Sequence, residues 1–231
     1  MQITQARFSG VVAIIVALAS CGQATPSRRD LSKPHFNINT LKSSPPAIFK
    51  EPTVIPGAGL PSVASLGLTS ANLFDNHFMS VYLANKTAHE QATKRAPFPL
   101  TTETLSGRGL TKRFPDQCLS EFDGVGYGTQ AGIIACYNYL NALGTTRCEA
   151  PRGGVVMCQA GNHGFTSYVS GSADETDTAA SYCRDVATGV AFGLNNCVWC
   201  PGGWGDCVLQ SEAAAYGNGD LAVATWGTAF P

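Results

Sequence analysis

Lysine is absent from residues 114–231, where three arginines stand against eleven acidic residues and give a formal charge of −8. Nucleic-acid binding depends on cationic contacts to phosphate, and anionic membranes attract basic segments. We therefore expect neither partner for this part of the chain. Residues 22–113 hold eleven Lys or Arg and five acids, a net +6, so the overall charge of −1 averages two opposite halves.

Long hydrophobic runs are also lacking. The apolar run Val11–Ala19 is shorter than the roughly 20 residues that a membrane-spanning helix needs. It follows one positive charge, Arg7, and ends in the A-x-A pattern Ala17–Ala19, which predicts a secretory signal peptide over residues 1–19. A lipobox ending at Cys21 remains the alternative in a bacterial source.

Cysteine is nearly absent before residue 118, where Cys21 stands alone. The C-terminal half holds eight cysteines. An even number of cysteines in an exported chain predicts disulfides, here four, although the sequence does not fix their pairing. The C-x-x-C at Cys197 and Cys200 could be a redox motif or half a zinc site. The loop residues that follow it favour two separate disulfides that begin in one turn. The cysteines of the C-terminal half are Cys118, Cys136, Cys148, Cys158, Cys183, Cys197, Cys200 and Cys207.

The change in charge and in cysteine content coincides with the basic pair Lys112-Arg113. Kexin-type proteases cut after such pairs in extended segments. We therefore predict a pro-segment over residues 20–113 and a mature domain over 114–231. Lys94-Arg95 and Arg28-Arg29 are further candidate processing sites.

The pro-segment is rich in Pro, Ser and Gly and lacks a sustained hydrophobic period, which predicts that it is largely disordered. Ala71–Ala88 is the exception, because its apolar residues could line a helix or dock onto the mature domain. Asn85 begins a glycosylation sequon. The opposite charges of the two halves suggest that the pro-segment docks on the mature domain and shields it or aids its folding.

The mature domain alternates helical and strand patterns. Helical spacing predicts helices over Gln130–Leu143 and Thr178–Leu194, with Cys136 and Cys183 facing the core. Gly154–Gln159 and Phe165–Val169 predict a hairpin, and Leu221–Trp226 a closing strand after an Asn-Gly turn. Together these elements predict an α+β fold, a two-layer α/β sandwich in a small disulfide-rich secreted domain.

No hydrolase, metalloprotease or phosphate-binding motif occurs in the sequence. Glu121 and Asp123 could serve as paired carboxylates, although nothing fixes their separation. His163 is expected at the surface of a hairpin. Asp174–Asp177 is a weak Ca²⁺ candidate and is better explained as helix capping. We therefore expect no catalytic residues, no metal and no cofactor.

Aromatic residues could form a recognition patch. Trp199 and Trp204 lie in the Cys- and Gly-rich loop and are the best candidates for exposed contacts, whereas the helix-face tyrosines should pack in the core.

The chain resembles small cysteine-rich effectors of fungi that a kexin-type protease releases. Tyr182–Thr225 carries a closer likeness: a helix with Cys183, then Asn196–Pro201, then Gly217–Val223. This order is similar to that of the extracellular-protein-2 type necrosis-inducing effectors and of the smut-virus killer toxins. The resemblance implies an α/β sandwich without enzymatic activity that is secreted to a host interface. The basic surface residues tied to calcium-channel block in killer toxins are missing.

These observations predict a secreted effector or toxin that is a monomer. It is expected to bind a protein or receptor on a host cell, a plant cell being the first expectation, or on a competitor cell. Two alternatives stay open. One is a small secreted hydrolase that uses the carboxylates Glu121 and Asp123, and the other is a structural cell-wall or adhesion protein.

Overall fold

The computed structural model describes part of the chain, and all the described residues belong to one compact unit, Pro34–Pro231. The signal-peptide prediction for residues 1–19 lies outside the described residues. The described residues are 49, 51–92, 115–119, 126–201 and 206–229, and only the backbone is described for 87–92.

Ten strands form one six-stranded antiparallel sheet, in the order β1-β5-β6-β10-β9-β2, and two small sheets that pair β3 with β8 and β4 with β7. With the helices below, they make the described residues an α+β structure. The strands are β1 (Thr53–Pro56), β2 (Gln117–Cys118), β3 (Gly128–Thr129), β4 (Arg147–Pro151), β5 (Val155–Asn162), β6 (Phe165–Ala173), β7 (Thr178–Tyr182), β8 (Val208–Leu209), β9 (Ser211–Ala215) and β10 (Asn218–Gly227).

Four α-helices accompany these strands. Helices α3 and α4 pack against each other, α3 against β5 and β6, and α4 against β9 and β10. The shorter α1 packs against α3 and α2. The helices are α1 (Ser70–Phe74), α2 (Asn76–Ala92), α3 (Gln130–Leu143) and α4 (Cys183–Asn196), and a 3-10 helix spans Ala64–Leu66.

The predicted bounds of helix α3 are confirmed at both ends. It begins after Thr129, whose hydroxyl accepts a hydrogen bond from the Gly132 amide at 3.2 Å, and it ends at Gly144, which has φ 62°. Cys136 faces the core as expected. Tyr139 is also fully buried, although the helical pattern did not single it out.

Helix α4 begins at Cys183, and the prediction that it starts at Thr178 is wrong. Residues Thr178–Tyr182 form β7 instead, because their backbone pairs with β4, from Thr178 opposite Pro151 to Tyr182 opposite Arg147. Pairing between strands that are distant in the sequence overrides the local pattern here. Cys183 is buried as predicted.

The predicted hairpin is confirmed. Strand β5 extends to Asn162, and β6 begins at Phe165. The closing strand is also confirmed, but its turn lies earlier than predicted. Gly217 has φ 73° and forms the turn, whereas Asn218 already belongs to β10 and pairs with Ala215. Glycine adopts a left-handed conformation without steric cost, which explains the position of the turn.

The expectation that residues 20–113 are largely disordered is wrong for 51–92, which contain β1, the 3-10 helix, α1 and α2. The exception proposed for Ala71–Ala88 is confirmed as helix. Burying an aliphatic or methionine side chain contributes about 1.5–3 kcal/mol before the cost of ordering the chain, so the five apolar anchors can hold this segment in place. These anchors are Val54, Val63, Leu68, Leu73 and Met79, each less than a tenth exposed.

Four disulfides connect the elements, and they use all eight cysteines of the C-terminal half. Two of them fix the helices, because Cys136 of α3 bonds Cys158 of β5, and Cys148 of β4 bonds Cys183 of α4. The other two are Cys118–Cys197 and Cys200–Cys207.

Two glycines of α4 allow the helix to lie close to β9 and β10. A Cβ added at Gly193 would overlap Ser211 Oγ and lie 3.0 Å from Ser211 Cβ, and one at Gly189 would lie 3.2 Å from Ala214 O. These glycines therefore allow the close packing of α4 on the sheet. Helix propensity alone would disfavour glycine at both positions.

Gly193→Ala should lower the free energy of unfolding by about 1–2 kcal/mol, because overpacking costs more than the roughly 1 kcal/mol gained in helix propensity. Ser211 cannot easily move, since its buried hydroxyl shares a 2.8 Å hydrogen bond with Thr225. Urea unfolding of the purified protein measures the change. Gly153→Ala is the matched control, because no atom lies within 4 Å of its added Cβ. Equal stability of the two variants would contradict this account of the packing.

Candidate functional site

The loop after α4 is fixed at both ends of its C-x-x-C. Cys197 bonds Cys118 of β2, and Cys200 bonds Cys207, so the prediction of two separate disulfides is confirmed. A redox C-x-x-C would instead bond its two cysteines to each other.

Trp199 lies between these two disulfides and is half exposed, at 50%. Its backbone is paired with Val208 by two hydrogen bonds of 2.8 Å, N–H to O in each direction. The Trp199 and Tyr127 rings pack in a T-shaped arrangement, with 6.1 Å between the ring centroids. An aromatic side chain held on a cross-linked backbone loses little conformational entropy when it binds, which suits a recognition anchor.

The other predicted contact, Trp204, lies outside the described residues, as do Cys21, Glu121 and Asp123. The processing residues Lys94, Arg95, Lys112 and Arg113 also lie outside them. Asn85 is described, and its side chain is exposed on α2.

Among the other described aromatic residues, Tyr139 and Trp226 are buried, Phe78 and Tyr216 are exposed, and the rest are partly exposed. Trp226 is buried in β10, where it stacks on Tyr168 at 4.1 Å and donates a 2.9 Å hydrogen bond from Nε1 to Ser170 Oγ. Tyr216 is 70% exposed, in the turn between β9 and β10. Trp199 and Tyr216 are thus the most exposed aromatic residues of the described part.

A buried carboxyl group lies on the face of the sheet that carries Trp226. Glu212 of β9 is 1% exposed, and its Oε2 accepts a 3.2 Å hydrogen bond from Gln117 Nε2, while Oε1 has no partner. Burial raises the pKa of Glu212 to about 7, the Gln117 hydrogen bond lowers it, and the charge of Asp174 raises it further. Gln210 Oε1 is also buried without a partner.

Sequence reasoning missed Glu212, because nothing in its local sequence marks it as buried. Its position follows from the register of the assembled sheet: Glu212 lies opposite Ala224 of β10, two residues from Trp226, so the Glu212 and Trp226 side chains share a face.

The acidic stretch Asp174–Asp177 connects β6 to β7, so the prediction that it caps a helix is wrong. Its backbone is held by Asp220, which accepts hydrogen bonds from the Glu175 amide at 2.6 Å and from the Thr176 hydroxyl. Among the described residues no group of three His, Cys, Asp or Glu could hold a metal ion.

His163 has φ 50° and is exposed in the β5–β6 turn, where it was predicted. Within the described parts of the chain, no helix has the length and hydropathy needed to cross a membrane.

Glu212 should make stability depend on pH. Because its folded pKa is raised from 4.5 to about 7, the folded state holds the proton more tightly than the unfolded state. Its contribution is therefore most favourable below about pH 4.5 and is lost as pH rises to about 7, by up to about 3 kcal/mol. Glu212→Gln should stabilise the protein at pH 8 by about 1–3 kcal/mol and change little at pH 4.

Chemical unfolding at the two pH values measures this difference. Glu149→Gln is the matched control, because the Glu149 side chain is 48% exposed and its substitution should change stability little. A Glu212→Gln variant with the same stability difference at both pH values would contradict the assignment.

In a comparison with known proteins, the model of a family described as a domain of unknown function, DUF8794, matches residues 117–225. The matched region begins at β2, ends within β10 and contains all eight disulfide-bonded cysteines. Neither a curated protein nor a solved structure matches the chain.

Proposed function

We propose that the protein is a secreted, non-enzymatic effector or toxin that binds a protein or receptor on a host or competitor cell through the loop bearing Trp199 and Trp204. The observation that carries this proposal is the half-exposed Trp199 on a backbone fixed by two disulfides. Tryptophan is enriched among the residues that dominate binding energy at protein interfaces.

Secretion is supported by the four disulfides, which form and persist in oxidising compartments. A cut by a kexin-type protease after Arg113 would break the covalent link between the pro-segment and residues 114–231, and the dibasic sequence and the charge boundary support that step. Glycosylation at Asn85 fits the same route, because this side chain is exposed.

The proposal extends the resemblance to killer toxins and necrosis-inducing effectors, including their two-layer α/β sandwich. The packing of α3 and α4 against strands of the six-stranded sheet supports that architecture. The formal charge of −8 on residues 114–231 favours a protein partner over nucleic acid or an anionic membrane.

Replacing both loop tryptophans, Trp199→Ala with Trp204→Ala, should reduce tissue damage at least about tenfold when the purified protein is infiltrated into leaves, because interface tryptophans contribute about 2 kcal/mol or more. Near-ultraviolet circular dichroism and the mass after alkylation show that the variant is folded with four disulfides. Tyr216→Ala is the matched control, since it removes an exposed aromatic side chain from another turn. Full activity in a folded double variant would reject this surface.

A further inference from the structure

The described segment of the N-terminal half with placed side chains, residues 49 and 51–86, is bound along the edge of β5. Strand β1 extends the sheet there, from Thr53 opposite Gly161 to Pro56 opposite Cys158. The Gly57 amide donates to Met157 O at 2.9 Å, so the pairing continues beyond the strand. A Cβ at Gly57 would overlap Val156 O and lie 2.7 Å from Met157 Cα, which shows how closely the two backbones approach.

Helix α3 contacts the same segment through side chains that have their polar partners in it. The Tyr139 hydroxyl donates to Pro61 O at 2.6 Å, and the Asn138 amide donates to Leu73 O at 2.8 Å. Both side chains are buried, and Leu73 is fully buried. Without the segment, these groups would lose the acceptors that satisfy them.

Among the described residues, apolar burial and hydrogen bonds hold the segment. The ion pairs that described residues form with one another, Arg147–Glu149 and Arg184–Asp185, both lie in the C-terminal half. Lys86 donates to the backbone carbonyl of Ala142 and not to a carboxylate. An association of this kind should resist salt.

No disulfide joins the segment to the cysteine-rich part, because the eight cysteines from Cys118 to Cys207 pair among themselves. The segment also lies between dibasic pairs. Arg28-Arg29 precedes it, Lys94-Arg95 and Lys112-Arg113 follow it, and residues 30–93 contain no such pair. Dibasic processing therefore leaves the docked residues 49–86 intact as one peptide.

We infer that this peptide stays bound after the cut, so that the secreted product is a non-covalent complex of two chains, with residues 49–86 covering the β5 edge and α3. The inference rests on the proposed processing after Arg113. Loss of the peptide would expose an unpaired strand edge and the apolar groups that Val54, Leu73 and Met79 now cover.

The test uses the full precursor, secreted from a host that lacks kexin-type protease and then cut in vitro with that protease. Intact mass under denaturing, non-reducing conditions verifies the cut. Native mass spectrometry and size-exclusion chromatography, in low salt and in 1 M salt (about a 3 Å screening length), then report whether the chains stay together. We expect one two-chain species in both buffers, which separates in denaturant without reductant. Two separate chains in native buffer would overturn the inference.

A matched pair of variants on α2 tests the docking surface. Met79 is 1% exposed, whereas Val81 is 49% exposed two residues later. Met79→Asp should weaken the cut complex at least about tenfold, because a charge would be buried without a partner, and Val81→Asp should change its dissociation constant less than about threefold. Met79→Ala provides the same readout should the Met79→Asp precursor fail to fold. Equal effects at the two positions would contradict the docking surface.

A second precursor tests whether the peptide stays bound independently of whether a kexin-type protease makes the cut. It carries the recognition site of an unrelated sequence-specific protease in place of residues 108–113. Failure of the kexin-type protease to cut the natural sequence would reject the processing step alone. Dissociation of the second precursor after its cut would reject the bound peptide, whatever the natural protease does.

Discussion

The disulfide between Cys136 and Cys158 fixes the arrangement on which the other contacts depend. Both residues are fully buried, and their bond holds α3 against β5. Helix α3 then packs against α4, while β5 offers its free edge to β1. A cross-link of this kind restricts the unfolded chain and contributes about 2–4 kcal/mol, and it also fixes the surface to which the N-terminal segment is bound.

Local sequence signals predicted the elements that local interactions form. Thr129 and Gly144 delimit α3 by capping, so the sequence shows both of its ends. Strand β7 and the start of α4 depend on pairing with β4, which no local pattern encodes. Strand β1 is four residues long and gains its partner from a strand about 100 residues later, so composition alone suggested disorder.

The candidate site likewise combines features that the sequence predicted with features that it did not. The C-x-x-C and the following Pro-Gly-Gly indicated a loop with two disulfides, and this loop presents Trp199 as expected. The burial of Glu212 was not readable, because it comes from the assembled sheet and from Gln117, which lies 95 residues away in the sequence. Electrostatic environments are properties of the tertiary structure, so the raised pKa of Glu212 has no counterpart in the sequence pattern.

The two ends of the six-stranded sheet bear on how the protein behaves in concentrated solution. A long exposed edge strand can recruit strands of other molecules and start aggregation. Here β1 is short and ends in Pro56, which has no N–H to donate, and β2 has two residues, one of them cross-linked to Cys197. The longer strand β5 lies inside the sheet only because β1 covers it. The N-terminal segment thus replaces a long sheet edge with a short one, and we expect loss of the segment to favour aggregation of the protein.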